Sequence, residues 1–365
     1  MFVPSSFGPS LATALFSMCC WGSWSNMLKA ADGKMRFEVF YLDYSVTTFA
    51  ASVVAALTLG MVSSDSEKGR TNFFDDFRGK TFDRYVFAFL GGFVFNVANI
   101  CLCKGIAMLG LALAFPICIG TALVLGTLVT YALQPSGSFL LLGLGVLLAF
   151  VAVCQAALAQ RLRDQQVGAS KGPASGGGPE AGLVAAENGA RQVQAGGPSF
   201  IRKLAICLVG GVLMGLWNPL VVLAEKDGGI SAYAEFVFFS LAVLLSSLAL
   251  VPALLTWPLE GGAGVALGTV AQEYRGLSPR AHALPFFGAL IWCLGTLANA
   301  VAGFSGALSS AESYAIGQCA NVVAMLWGVF YFQEFRGTGP TVKLLLGVIC
   351  CFYAGAIVCI AASAG

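Results

Sequence analysis

Apolar residues fall into ten runs along the chain, at 11–30, 40–61, 85–107, 111–133, 138–160, 201–224, 232–257, 284–304, 308–332 and 340–361. A helix needs ~20 residues to cross the hydrocarbon core of a bilayer, so each run predicts one transmembrane span. A soluble core would not repeat such runs from end to end. Between the fifth and sixth runs the pattern breaks, and residues 161–200 read as a flexible polar linker of Gly, Ala, Ser, Pro, Gln and charge. Its glycines lack the Gly-x-x-x-x-Gly-Lys-Ser/Thr spacing of a phosphate loop. Residues 1–160 are therefore expected to form one five-helix repeat and residues 201–365 a second.

The two halves echo each other. Stretch 89–120 repeats at 286–317, with Phe89 matching Phe286, Gly91 Gly288, Leu111 Leu308, Ile119 Ile316 and Gly120 Gly317. Gly22-Ser23-Trp24 is paralleled by Gly215-Leu216-Trp217, and Asp32-Gly33 by a second expected turn at Asp227-Gly228. Two similar halves with an odd number of spans each must insert in opposite orientations, which predicts inverted repeats around a central site. The fold expected is thus an all-α polytopic membrane protein of ten helices.

Composition agrees with that class. The chain is 58% hydrophobic and 10% charged, with mean hydropathy +0.82. Net charge of +2 gives no hint of nucleic acid, and the 12 cysteines mostly sit inside apolar runs, as small buried packers rather than a disulfide or metal framework. The opening MFVPSSFGPS has no basic residue and so no signal-peptide n-region. Assigning loops to alternate sides puts 14 of the 20 Lys and Arg on the linker side, counting Lys104. The positive-inside rule then predicts a cytoplasmic linker with both termini opposite, in a plasma membrane or an organelle envelope.

No catalytic constellation is present in the sequence. The single histidine, His282, falls in a predicted loop and no paired carboxylates occur at helical spacing within the spans, so an enzyme, a metal site and a cofactor are not expected. The spans carry amides, hydroxyls and indoles instead. Trp21, Trp24 and Asn26 lie in the first, Asn96 and Asn99 in the third, Trp217 and Asn218 in the sixth, Asn299 in the eighth, and Gln318 and Asn321 in the ninth. This mixture suits a neutral solute rich in hydroxyls or amides, because amides donate and accept and an indole face packs on a ring. Each Asn could equally tie two helices together, and each Trp could anchor at the interface. Small residues on the fourth span serve internal packing or a dimer face equally well.

Asp43, Lys104 and Glu312 are the candidates for coupling or gating. Asp43 opens the second span and Lys104 closes the third, both on the linker side, where an ion pair between them would suit a gate or proton coupling. Both could also snorkel to the interface. Glu312 opens the ninth span and complements its N-terminal dipole, and Glu334 reads as a solvated helix end.

The runs Trp21-Gly22-Ser23-Trp24-Ser25-Asn26, Phe37 to Tyr44 and Gly91 to Gly126 resemble sugar permeases of the glucose/ribose porter type, in the drug/metabolite transporter superfamily. Plant ureide permeases are related, and Trp327 to Glu334 is similar to the end of their ninth helix. The resemblance implies spans one to four and six to nine around a central cavity, five and ten outside, and secondary transport by alternating access, often proton-coupled. Lacking the phosphate-loop-like linker motif of the plant ureide permeases, the chain is expected to carry a monosaccharide. A ureide or nucleobase in the same cavity, or a sensor or scaffold that transports nothing, are the alternatives.

Overall fold

The computed structural model describes residues 1–31, 33–62, 72–109, 114, 116–170, 199–259, 261 and 263–364. Asp32 of the first expected turn, Leu111 and residues 171–198 of the expected linker lie outside the described residues. Those described form helices joined by short turns, with no strand among them.

Thirteen α-helices are described: α1 (Phe7–Ser23), α2 (Ser25–Ala31), α3 (Phe37–Thr58), α4 (Phe82–Leu109), α5 (Thr121–Leu133), α6 (Phe139–Ser170), α7 (Phe200–Glu225), α8 (Ala232–Thr256), α9 (Leu267–Gly276), α10 (Pro279–Phe304), α11 (Ser310–Gln318), α12 (Ala320–Leu326) and α13 (Pro340–Ser363). Their starts are written locally. Ser199, Ser231, Ser278 and Ser309 each accept a backbone N–H of the first turn, satisfying a donor that the helix itself leaves unpaired. Proline at the first positions of α10 and α13 costs no hydrogen bond there.

Eight helices, some counted with a short continuation, are long and apolar enough to cross a membrane. The expected first and fourth spans are not among them. The first bends between α1 and α2 at Trp24, and the fourth is α5 preceded by a wide π turn, Pro116–Gly120. The ninth is interrupted too: at Cys319 the amide reaches back three residues to Ile316, and the Cys319 thiol donates to the carbonyl of Ala315. A second π turn, Trp327–Tyr331, ends it. Three further expectations are corrected. The fifth span continues past Gln160 to Ser170. A separate ten-residue helix, α9, stands where a loop was expected. His282 lies in the first turn of α10 rather than in a loop. The Asp227-Gly228 turn is present, with both residues at positive φ.

Packing sorts the helices into a centre and a flank. α4 runs against α7, α1 against α10, α3 against α8, and α6 against α13. Burial falls from 61% for α10 to 33% for both α3 and α6 and 22% for α13, and α6 and α13 pack chiefly on each other. Two glycines let central helices approach at backbone distance. A Cβ on Gly92 of α4 would lie 2.0 Å from the Phe239 carbonyl oxygen on α8, and one on Gly22 would lie 2.5 Å from that of Ala320. The core between these helices is aromatic, with Phe95, Trp217, Phe239 and Trp292 within 4.9–6.3 Å of one another along successive contacts.

Outside the long helices, the turn Phe73–Phe77 seats Asp76 against the start of α8. Asp76 accepts from the backbone N–H of Ser231 at 2.9 Å and from its hydroxyl. Burial pushes the Asp76 carboxyl above its ordinary range, while the two Ser231 bonds oppose that rise.

Candidate functional site

A cavity of about 150 Å³ lies where α1, α2, α4, α7, α10, α11 and α12 converge. Its walls run from Trp217 and Gly317 in mid-helix to Leu28, Ile106 and Ala324 at the linker-side ends. Four indoles form much of the surface: Trp21, Trp24, Trp217 and Trp292. Trp21 is held edge-on to Trp217 at 6.1 Å and donates its Nε1–H to Thr296 Oγ1 at 3.0 Å. Glycine makes the space for it, since a Cβ on Gly317 would sit 2.6 Å from the Trp21 ring. The polar lining comes from Asn99, Gln318, Asn321 and Ser25, and no Asp, Glu, Lys, Arg or His is among the described lining residues.

Trp217 has a feature that packing alone does not account for. It is 5% exposed, and its Nε1–H is buried with no acceptor among the described residues. A buried indole N–H normally finds a partner. Trp217 lines the central cavity, as does Asn321, whose Nδ2 is also buried without a partner among the described residues. Asn99 donates from Nδ2 to Tyr41 Oη at 3.0 Å, while no described group donates to its Oδ1. The interrupted backbone at Cys319 brings Gln318 and Asn321, on either side of the break, to the same cavity.

The residues expected at the site thus divide. Trp21, Trp24, Asn99, Trp217, Gln318 and Asn321 line the cavity. Asn26, Asn96, Asn218 and Asn299 do not. Asn96 is completely buried in a tie between α3, α4 and α8, accepting from Tyr41 Oη at 2.7 Å and donating to Ser246 and Ser247 at 2.8 and 3.0 Å. Asn218 donates to Thr130 Oγ1 at 2.9 Å, joining α7 to α5. Asn299 donates to the Ser313 carbonyl while Ser313 donates to the Asn299 carbonyl, both at 2.8 Å, clamping α10 to α11. Asn26 is half-buried on α2.

The charged candidates lie outside the cavity wall. The expected pair of Asp43 with Lys104 is not formed. Lys104 bonds Glu38 Oε1 at 2.8 Å instead, with both residues buried, and Asp43 accepts from Tyr274 at 2.8 Å and meets His282 Nδ1 at 2.6 Å. The helical period explains the exchange: Glu38, Tyr41, Ser45, Thr48 and Ser52 form one buried stripe on α3, and Asp43 falls about 140° from Glu38. Glu312 closes a capping box with Ser309 and accepts from Ser363 Oγ at 2.8 Å. Glu334, expected as a solvated end, bridges Lys29 and Arg163 and so ties α2, α6 and the end of the ninth span.

Because a glutamine can complete a capping box as well as a glutamate, Glu312→Gln is expected to keep the fold. Ser309→Ala is expected to lower stability by about 1 kcal/mol, the weight of an N-cap, which a thermal melt of purified protein would register. A melt unchanged by Ser309→Ala would remove the cap from this account.

Sequence reasoning missed Tyr41, Glu38 and Trp292 as organisers of the site. Tyr41 links Asn96 and Asn99 through one hydroxyl, and the i, i+3 spacing of Glu38 and Tyr41 was the available signal.

A family model described as ureide permease matches residues 40–173. Ureide permease 1 of Arabidopsis thaliana is 24% identical over 399 residues, spanning 100% of this chain and 99% of its own. Probable ureide permease A3 of Vigna unguiculata is 24% identical over 380 residues, spanning 91% and 96%. A crystal structure of another protein matches with a TM-score of 0.56 at 13% identity, covering 96% of this chain and 97% of that one, a likeness of fold alone. Eight membrane-length helices and relatives of this kind make the chain a multi-pass integral membrane protein.

Proposed function

We propose that this protein is a secondary transporter that carries a small neutral amide-bearing solute of the ureide class through its central cavity by alternating access. The observation that carries the reading is the lining of the cavity, indoles with Asn99, Gln318 and Asn321 and no charged residue among those described, beside the buried and unpartnered Trp217 Nε1–H. A ureide carbonyl supplies that acceptor, and its own N–H groups suit Asn99 Oδ1 and the Gln318 amide. A cavity near 150 Å³ admits about one six-membered ring, and an indole wall offers such a ring a face to pack on. The full-length relatives named for ureides support the same solute class. The expected monosaccharide has no counterpart among them, and residues 171–198 of the linker, whose lack of a phosphate-loop-like motif carried that preference, lie outside the described ones.

The pairings of helices support two inverted five-helix repeats within this proposal. Exchanging the first half for the second turns the α4–α7 pair into the α10–α1 pair and maps α3–α8 and α6–α13 onto themselves, the signature of a pseudo-twofold axis in the membrane plane. A cytoplasmic linker, from the distribution of Lys and Arg, would make the wall toward Leu28 and Ile106 the cytoplasmic side.

The test is uptake into proteoliposomes of labelled allantoin, uracil, glucose and ribose, with and without an inward proton gradient. Saturable allantoin uptake, displaced by uracil and indifferent to glucose, is the expected result. Uptake of glucose or ribose alone would overturn the ureide assignment, and failure of all four from folded protein would return the chain to the sensor or scaffold reading. The gradient arm examines coupling directly, since the structure engages Asp43 and Glu312 in bonds away from the cavity lining.

A further inference from the structure

A second, larger cavity of about 440 Å³ opens on the flank of the molecule, between α3, α8 and the ten-residue helix α9. Its walls are Leu42 of α3, Val251 and Leu255 of α8, and the face of α9 formed by Leu267, Val270 and Tyr274. Those three α9 residues, with Ala271, recur at i, i+3, i+4 and i+7, one side of a helix that has no buried residue at all. Leu248, also lining the cavity, is 52% exposed on the outer face of α8. The space therefore sits among surfaces that face hydrocarbon, at the linker-side ends of two membrane-length helices.

Two charged residues line it, Glu38 and Arg275. Arg275 lines the cavity, is exposed, and has no carboxylate partner among the described residues. The described carboxylates nearby are already engaged: Glu38 with Lys104, Glu273 with Arg36 at 3.8 Å, and Asp43 with Tyr274 and His282. Lys34, in the adjoining depression with Arg36, adds a second exposed cation. Two contacts hold α9 over the cavity, Tyr274 on Asp43 and Glu273 on Arg36, so the helix is fixed as a roof above an apolar space with a cation at its rim.

We infer that this flank cavity binds one anionic glycerophospholipid of the linker-side leaflet, an acyl chain lying between α3, α8 and α9 and the phosphate on Arg275. An apolar slot beside the bilayer selects hydrocarbon, and the unneutralised guanidinium favours a headgroup of net negative charge, because the choline of a zwitterionic lipid offsets the charge of its phosphate. The inference rests on the chain being a membrane protein and is independent of what the central cavity carries.

The experiment measures lipid retained by the full chain, purified from an equimolar mixture of phosphatidylglycerol and phosphatidylcholine and weighed intact by native mass spectrometry. One phosphatidylglycerol per chain is expected, in about fivefold preference, the weight of one cation beside anionic lipid. Arg275→Gln is expected to bring the preference to about one. Ala271→Trp, which fills the slot from α9, is expected to remove the bound lipid of either kind. Leu248→Trp fills it from α8 and serves if the first variant does not fold. Preference unchanged in Arg275→Gln, or lipid retained as before in both folded tryptophan variants, would overturn the assignment.

Discussion

Replacing Trp217 with phenylalanine and Gln318 with leucine together is expected to cut allantoin uptake at low concentration by about a hundredfold. The phenylalanine keeps a ring against Trp21 and Tyr314 and removes the Nε1–H, which has no acceptor among the described residues, together with part of the indole's volume. The leucine keeps the bulk of Gln318 at the break in the ninth span and removes its amide. In a desolvated site each lost hydrogen bond leaves a solute group unpaired, at about 1.4 kcal/mol within the usual 1–3 kcal/mol range, or about tenfold. The informative comparison is Asn218→Leu, which breaks the bond to Thr130 between α7 and α5 and lies outside the cavity wall. It is expected to lower the melting temperature with little change in half-saturation. Equal effects of the two changes on half-saturation would mean that the cavity does not hold the solute.

The second large effect belongs to the buried pair of Glu38 and Lys104. Each is less than 10% exposed, and their atoms meet at 2.8 Å between α3 and α4. Removing one partner breaks a buried ion pair, in which Glu38 also has Arg36 at 3.9 Å, and either Glu38→Gln or Lys104→Met is expected to destabilise the protein by about 3 kcal/mol. The double replacement, Glu38→Gln with Lys104→Met, buries no ion and is expected to recover most of that loss. Thermal melts of the three variants in one detergent measure the coupling, and additive losses in the double variant would show that the two side chains act independently.

The same pair shows why polar residues in apolar helices are half-legible. Hydropathy marks Glu38, Asp43 and Lys104 as charges at the ends of spans, and topology puts all three on the linker side. Which of them meet is decided by rotation about α3. The stripe through Glu38 and Tyr41 turns inward, and Asp43 turns toward α9 and His282. Asn96 and Asn99 make the point within a single helix. They are three residues apart, yet α8 supplies Asn96 with two hydroxyls, and Asn99 reaches the cavity. No spacing rule separates them, because the difference lies in the neighbouring helix.

By itself, the sequence determined the class of this protein: apolar runs of membrane length, with indoles and amides where a lipid-facing helix has no use for them. Those features depend on the composition and period of one segment, and the free energy of placing that segment in hydrocarbon is nearly local. The tertiary structure alone decided which amides are ties and which line the central cavity, that Lys104 meets Glu38, and that α9 roofs a slot on the flank. Each of these depends on what a second helix presents at the same height, at distances of about 3 Å that no single segment encodes.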